Sequence, residues 1–149
     1  MSSSPSDNQL ADYFAREVAR TFDFLVSEHG FSSLGLSVDG RTHLAEVIYV
    51  RQNLGVECIL DAREEDVDCK VFRLIDGRKP KHFDVDDEGR VVREGVWNLL
   101  TRRGVRAKLF RGAGHLAFSE RIPQTLEDFA QMLRAYGKDI LEDSPEALG

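Results

Sequence analysis

The feature that most limits what this chain can become is the stretch from Leu34 to Ile75. There, four segments rich in Val, Ile, Leu and Phe are divided by three compact turns. The segments are Leu34–Val38, Thr42–Arg51, Val56–Asp61 and Val67–Ile75, and the turns fall at Asp39-Gly40, Asn53-Leu54-Gly55 and Glu64-Glu65-Asp66. Asp-Gly between apolar runs is a strong hairpin signal, because both residues tolerate positive φ. A parallel pair would need a crossover of about a dozen residues or more. Connections this short therefore predict an antiparallel meander. In Thr42–Arg51 both alternating faces carry apolar groups, which suits a sheet covered by a helix on one side and partly on the other.

Helices are predicted on either side of this stretch. From Asp7 to His29, Leu10, Phe14, Val18, Phe22 and Leu25 recur at helical spacing, with Tyr13, Thr21 and Val26 beside them. Ser6 and Gln9 offer a capping box, and Gly30 is a natural stop. Glu94–Arg103 reads as a short helix ending at Gly104. Pro123 suits the first turn of a last helix, whose apolar face is Leu126, Phe129, Ala130, Leu133, Ile140 and Leu141. His82–Val85 and Arg90–Val92 are candidates for a small hairpin, and Val105–Phe110 fits a strand or a loop. The expected fold class is α+β: an antiparallel meander of four to six strands, packed by N-terminal and C-terminal helices, with a short helix near 94–103. At 149 residues this is one domain, 7–142, after a mobile lead-in, 1–6, and before a frayed acidic tail, 143–149.

Chemistry is harder to find. Cys58, Cys69, His29, His43, His82 and His115 include no pair at C-x₂-C or H-x₃-H spacing, so no metal site is expected. Ser119 lies four residues after His115, but no Gly-x-Ser-x-Gly elbow holds it, and a serine ahead of a helix is explained as a local turn or cap. Gly112-Ala113-Gly114 lies between Arg111 and Arg121 yet matches no phosphate-binding pattern in register. The acidic run Asp86-Asp87-Glu88-Gly89 lacks the spaced ligands of a calcium loop. No catalytic residue and no cofactor are expected. With a two-residue turn at Glu64-Glu65, Leu60 stands opposite Cys69 and Cys58 opposite Val71, which argues against a disulfide. Few cysteines, and an N-terminal stretch with no basic or apolar signal region, predict a cytoplasmic protein with reduced, buried thiols.

Charge is the remaining signal. Net charge is −6, which disfavours non-specific attraction to nucleic acid or anionic membranes. Acid is concentrated in two stretches, at Glu57, Asp61, Glu64, Glu65, Asp66 and Asp68 and at Asp84, Asp86, Asp87, Glu88 and Glu94, whereas Thr101–Arg121 is basic through Arg102, Arg103, Arg106, Lys108, Arg111 and Arg121. Three readings follow. The acidic turn, with Asp61, Glu64, Glu65, Asp66 and Asp68, docks a basic protein partner. Alternatively Arg102, Arg103, Arg106, Lys108 and Arg111 hold an anion or nucleic acid, with Trp97, Phe110 and His115 near in sequence for stacking. In the third reading the basic segment lies over the acidic turns and neutralises them. An exposed sheet edge would also permit self-association into a homo-oligomer.

Phe24-Leu25 followed by Gly30-Phe31, then Val47-Ile48-Tyr49, then Asp61-Ala62-Arg63-Glu64 form a recognisable order. Over residues 22–75 the chain resembles small bacterial α+β proteins similar to immunity proteins of polymorphic toxin systems. That resemblance implies a cytoplasmic, cofactor-free binding protein that neutralises a toxin domain by occluding it, and the acidic turn would suit a toxin domain with a basic surface.

Overall fold

In a computed structural model of the chain, residues 7–74, 92–106 and 116–142 are described. The fold is α+β, with a five-stranded antiparallel sheet in the order β1-β2-β3-β4-β5. Its strands are β1 (Ser32–Asp39), β2 (Leu44–Arg51), β3 (Leu54–Asp61), β4 (Asp66–Arg73) and β5 (Arg93–Gly95). The helices are α1 (Asp7–Thr21), α2 (Asp23–Ser27), α3 (Val96–Arg102), α4 (Phe118–Tyr136) and α5 (Lys138–Glu142). α1 and α4 pack on each other and over one face of the sheet. Val47, Tyr49, Val56, Cys58, Leu60, Cys69 and Val71 point from that face into the core. The lead-in 1–6 with Ser6, the hairpin expected around 82–92 up to Val91, and the tail 143–149 lie outside the described residues.

Four local expectations differ from the structure. The first helix is two, broken at Phe22 (φ −104°, ψ 14°). In one continuous helix Phe22 and Phe24 would be about 200° apart, on opposite faces. The break lets both rings bury, 6.0 Å apart, with Phe22 also 6.5 Å from Tyr49. The final helix starts at Phe118, which puts Pro123 inside it rather than in its first turn. Phe118, Ile122 and Leu126, spaced by four and all buried, extend the apolar stripe upstream of the proline and outweigh its missing N–H.

The third difference is β5, at Arg93–Gly95 where the short helix was expected to begin; it pairs with Lys70–Phe72, and α3 starts only at Val96. α3 ends as expected: Gly104 (φ +83°) donates to Thr101 and Val105 to Leu100, a Schellman stop.

The fourth concerns register. The β3–β4 connection is a four-residue loop, Ala62–Glu65, not a two-residue turn, so Asp61 pairs with Asp66 and Cys58 with Cys69. Loop length alone slides one strand two places past the other, which leaves every side chain on its expected face but changes its partner. Asp61 sets that length, since its Oδ1 accepts the N–H of Glu64 at 3.0 Å and Glu65 closes the loop at φ +50°. The β1–β2 loop repeats the device, with Asp39 Oδ1 accepting the Arg41 N–H at 2.8 Å and His43 at φ +59°. Between them, β2 turns into β3 through Gln52-Asn53 alone, with Leu54 and Gly55 already in the strand.

Candidate functional site: an acidic rim and sheet face

An antiparallel meander puts alternate loops at the same end. The loops 40–43 and 62–65 therefore lie side by side, joined by the Ala62 N–H donating to the His43 carbonyl at 3.1 Å. Glu64, Glu65 and Asp66, together with Asp39 and the arginines Arg41 and Arg63, are exposed along this rim. Backbone N–H donation from Arg41 is the main reason that the Asp39 carboxyl is held below its usual range.

Register carries the acid from the rim onto the sheet face turned away from the helices. Asp39, Leu44, Asp61 and Asp66 form the first cross-strand row, and Ser37, Glu46, Ile59 and Asp68 the second. Asp61 and Asp66 are direct partners, and like charges opposite each other oppose pairing. Of these residues Glu46, Ile59, Asp61 and Asp68 are half-buried and Leu44 is exposed. Asp68 also turns back to accept its neighbour Cys69's N–H at 2.8 Å. The partner-binding residues expected from sequence, Asp61, Glu64, Glu65, Asp66 and Asp68, are thus brought together. Asp39 and Glu46 join them and were missed. Their signal was alternation in β1 and β2, readable only once the register was known.

Further along the same face the character changes. Glu57 is fully buried and receives Arg93 Nε at 2.7 Å and Nη2 at 2.6 Å on one oxygen, Oε1. Next to it the Phe72 ring lies flat over Gly55, where any Cβ would run into it.

The basic segment is built differently. Arg102 grips Glu94 with two bonds, at 2.6 and 3.1 Å, and Arg103 grips Asp139 at 2.9 and 3.2 Å. Arg106 is exposed, Arg121 stacks on Phe118 at 5.3 Å, and Lys108 and Arg111 lie outside the described residues, as do His82, Phe110, Gly112–Gly114 and His115. Arg102 and Arg103 are therefore paired within the chain, with Glu94 and Asp139 respectively. Ser119 sits in the first turn of α4, beside Gln9, Leu10, Tyr13 and Glu120 around a shallow cavity of about 250 Å³.

Cys58 and Cys69 are free thiols, both buried in the core. Desolvation, and then a hydrogen bond with Cys58, push the Cys69 thiol well above its ordinary range. Such a thiol stays protonated and is a poor nucleophile or ligand. Among the described residues, no group of three or more His, Cys, Asp or Glu is placed to hold a metal ion, and no helix is long and apolar enough to cross a membrane. Comparison with known proteins finds no family model, curated protein or solved structure that matches the chain.

Proposed function

We propose that this chain is a non-enzymatic protein-binding module of immunity type, which occludes a basic partner through its acidic rim and the adjoining sheet face. The observation that carries the reading is the row Asp39–Leu44–Asp61–Asp66, in which carboxylates stand next to one another although sheet pairing alone would disfavour it. Clustered carboxylates around exposed Leu44 suit a partner with a basic surface and an apolar contact at its centre. The resemblance of residues 22–75 to immunity proteins of polymorphic toxin systems supports the same conclusion. On this reading the protein works in the bacterial cytoplasm and needs no cofactor.

The test is co-purification of the full chain with the products of neighbouring genes, followed by charge reversal of Glu64, Glu65 and Asp66 to Lys. Capture that is lost on charge reversal supports the proposal; capture indifferent to it contradicts it. The competing reading, anion or nucleic-acid binding by Arg102, Arg103, Arg106, Lys108 and Arg111, predicts retention on heparin that falls steeply with salt. The Glu94 and Asp139 contacts of the first two arginines favour the protein-partner reading over it.

A further inference from the structure

Among the described residues β1 is an outer strand, hydrogen-bonded to β2 alone. It is also the most exposed of the long strands: all its residues are exposed except half-buried Leu36. Leu34 is 63% exposed and Val38 46%, high values for large apolar side chains. Natural edges are guarded by lysine, proline or inward-pointing charge. β1 has none of these from Ser32 to Val38, and its one guard is a bulge at Leu34-Gly35, where the Gly35 N–H turns to the Ser33 hydroxyl at 3.1 Å. From Leu36 to Asp39 the ladder is regular.

We propose that this edge is an interface between two copies of the chain, paired antiparallel about a two-fold axis through Ser37 so that two five-stranded sheets become one of ten. Charge and register select a second copy as the occupant. In a chain of net charge −6, a basic partner would be drawn to the rim, whereas the uncharged run 32–38 suits an equally uncharged strand. With the axis at Ser37, Leu36 meets Val38 of the other copy on the helix side of the sheet, and Val38 meets Leu36. Both residues already share that side with Val47 and Ala45. Ser37 meets its own copy on the other side. Asp39, the strand's only charge, falls opposite Gly35, where there is open space and no side chain. Moving the axis to Val38 would instead bring the two Asp39 carboxylates diagonally together, which like charges oppose. The chosen pairing keeps both acidic faces on one side of the joined sheet. The inference does not rest on the proposed function, since it uses the side of β1, which shares Asp39 with the rim but none of Glu64, Glu65 and Asp66.

Sedimentation of the full chain at micromolar concentration is expected to give twice the 16.8 kDa chain mass. Val38→Lys, which sets like charges across the axis, is expected to weaken dimerisation about tenfold or more. Should Val38→Lys fail to fold, crosslinking decides. Ser37→Cys oxidised with diamide is expected to form a disulfide-linked dimer, the two thiols giving their hydrogens to the azo bond as the S–S bond forms. Ser32→Cys, far from its own copy in this register, is expected to stay uncrosslinked. A monomer mass for the unchanged chain, a dimer indifferent to Val38→Lys, or crosslinking through Ser32→Cys in preference to Ser37→Cys would each overturn the proposal.

Discussion

Arg93 reaches from β5 across β4 to place two nitrogens on a single oxygen of the fully buried Glu57 in β3. A buried carboxylate costs several kcal/mol to desolvate and is retained only when its partner geometry is good. Arg93→Ala leaves that carboxylate without its guanidinium and is expected to destabilise the fold by about 3–5 kcal/mol. Replacing both residues, Glu57→Leu with Arg93→Met, should cost clearly less than Arg93→Ala alone. Urea denaturation of the single and double variants measures both values, and an Arg93→Ala midpoint equal to that of the parent would refute the account of this pair.

Gly55 is held by an aromatic ring rather than by a turn. The Phe72 ring occupies the place of a Cβ at position 55, on a strand whose neighbours on both sides are fully packed. Gly55→Ala is therefore expected to destabilise by about 1–3 kcal/mol through overpacking, despite the better strand propensity of alanine. Phe72→Leu should recover part of that loss in the Gly55→Ala background. Stability of the four combinations in a double-mutant cycle tests it, and additive losses would contradict the contact.

Burial raises Cys69 above its ordinary 9.0 and Tyr49 above its ordinary 10.0, in both cases mainly by desolvation. An unfolded chain releases these protons in alkali while the fold retains them. The unfolded state then binds fewer protons, so stability falls as pH rises. Each contribution is full below the ordinary value, 9.0 for Cys69 and 10.0 for Tyr49, and is lost as pH rises from there towards the raised value of the folded state. Urea midpoints should drop across that window, and Tyr49→Phe should flatten the upper part. The same burial predicts that Cys58 and Cys69 react with a soluble aromatic disulfide only after unfolding; rapid reaction of the native protein would contradict it.

These relationships were legible in the sequence to different depths. Strand existence followed from alternation, and even the two-place register shift preserved it, because a shift of two leaves faces unchanged. Partner identity did not follow, since it depends on how many residues the Asp61 loop contains, and that is decided by a hydrogen bond from Glu64 to the Asp61 side chain. Cys58 and Cys69 were accordingly separated in the sequence reading and are direct neighbours in the sheet. The break at Phe22 escaped periodicity because tertiary packing of two phenylalanines overrides a continuous helical pattern. For the site, Glu64–Asp66 stood out as a local cluster. Asp39 and Glu46 are too far away in sequence to be grouped with it and join it only through the ladder.

The acidic rim is proposed to take a protein partner. The most direct measurement is the association rate and affinity of the full chain for a neighbouring-gene product that it captures, compared with the variant carrying Glu64→Lys, Glu65→Lys and Asp66→Lys. The expected result is association slower by about tenfold or more at low salt, with the gap closing as salt screens the charges. Equal rates and equal affinities for the two proteins at low salt would contradict it.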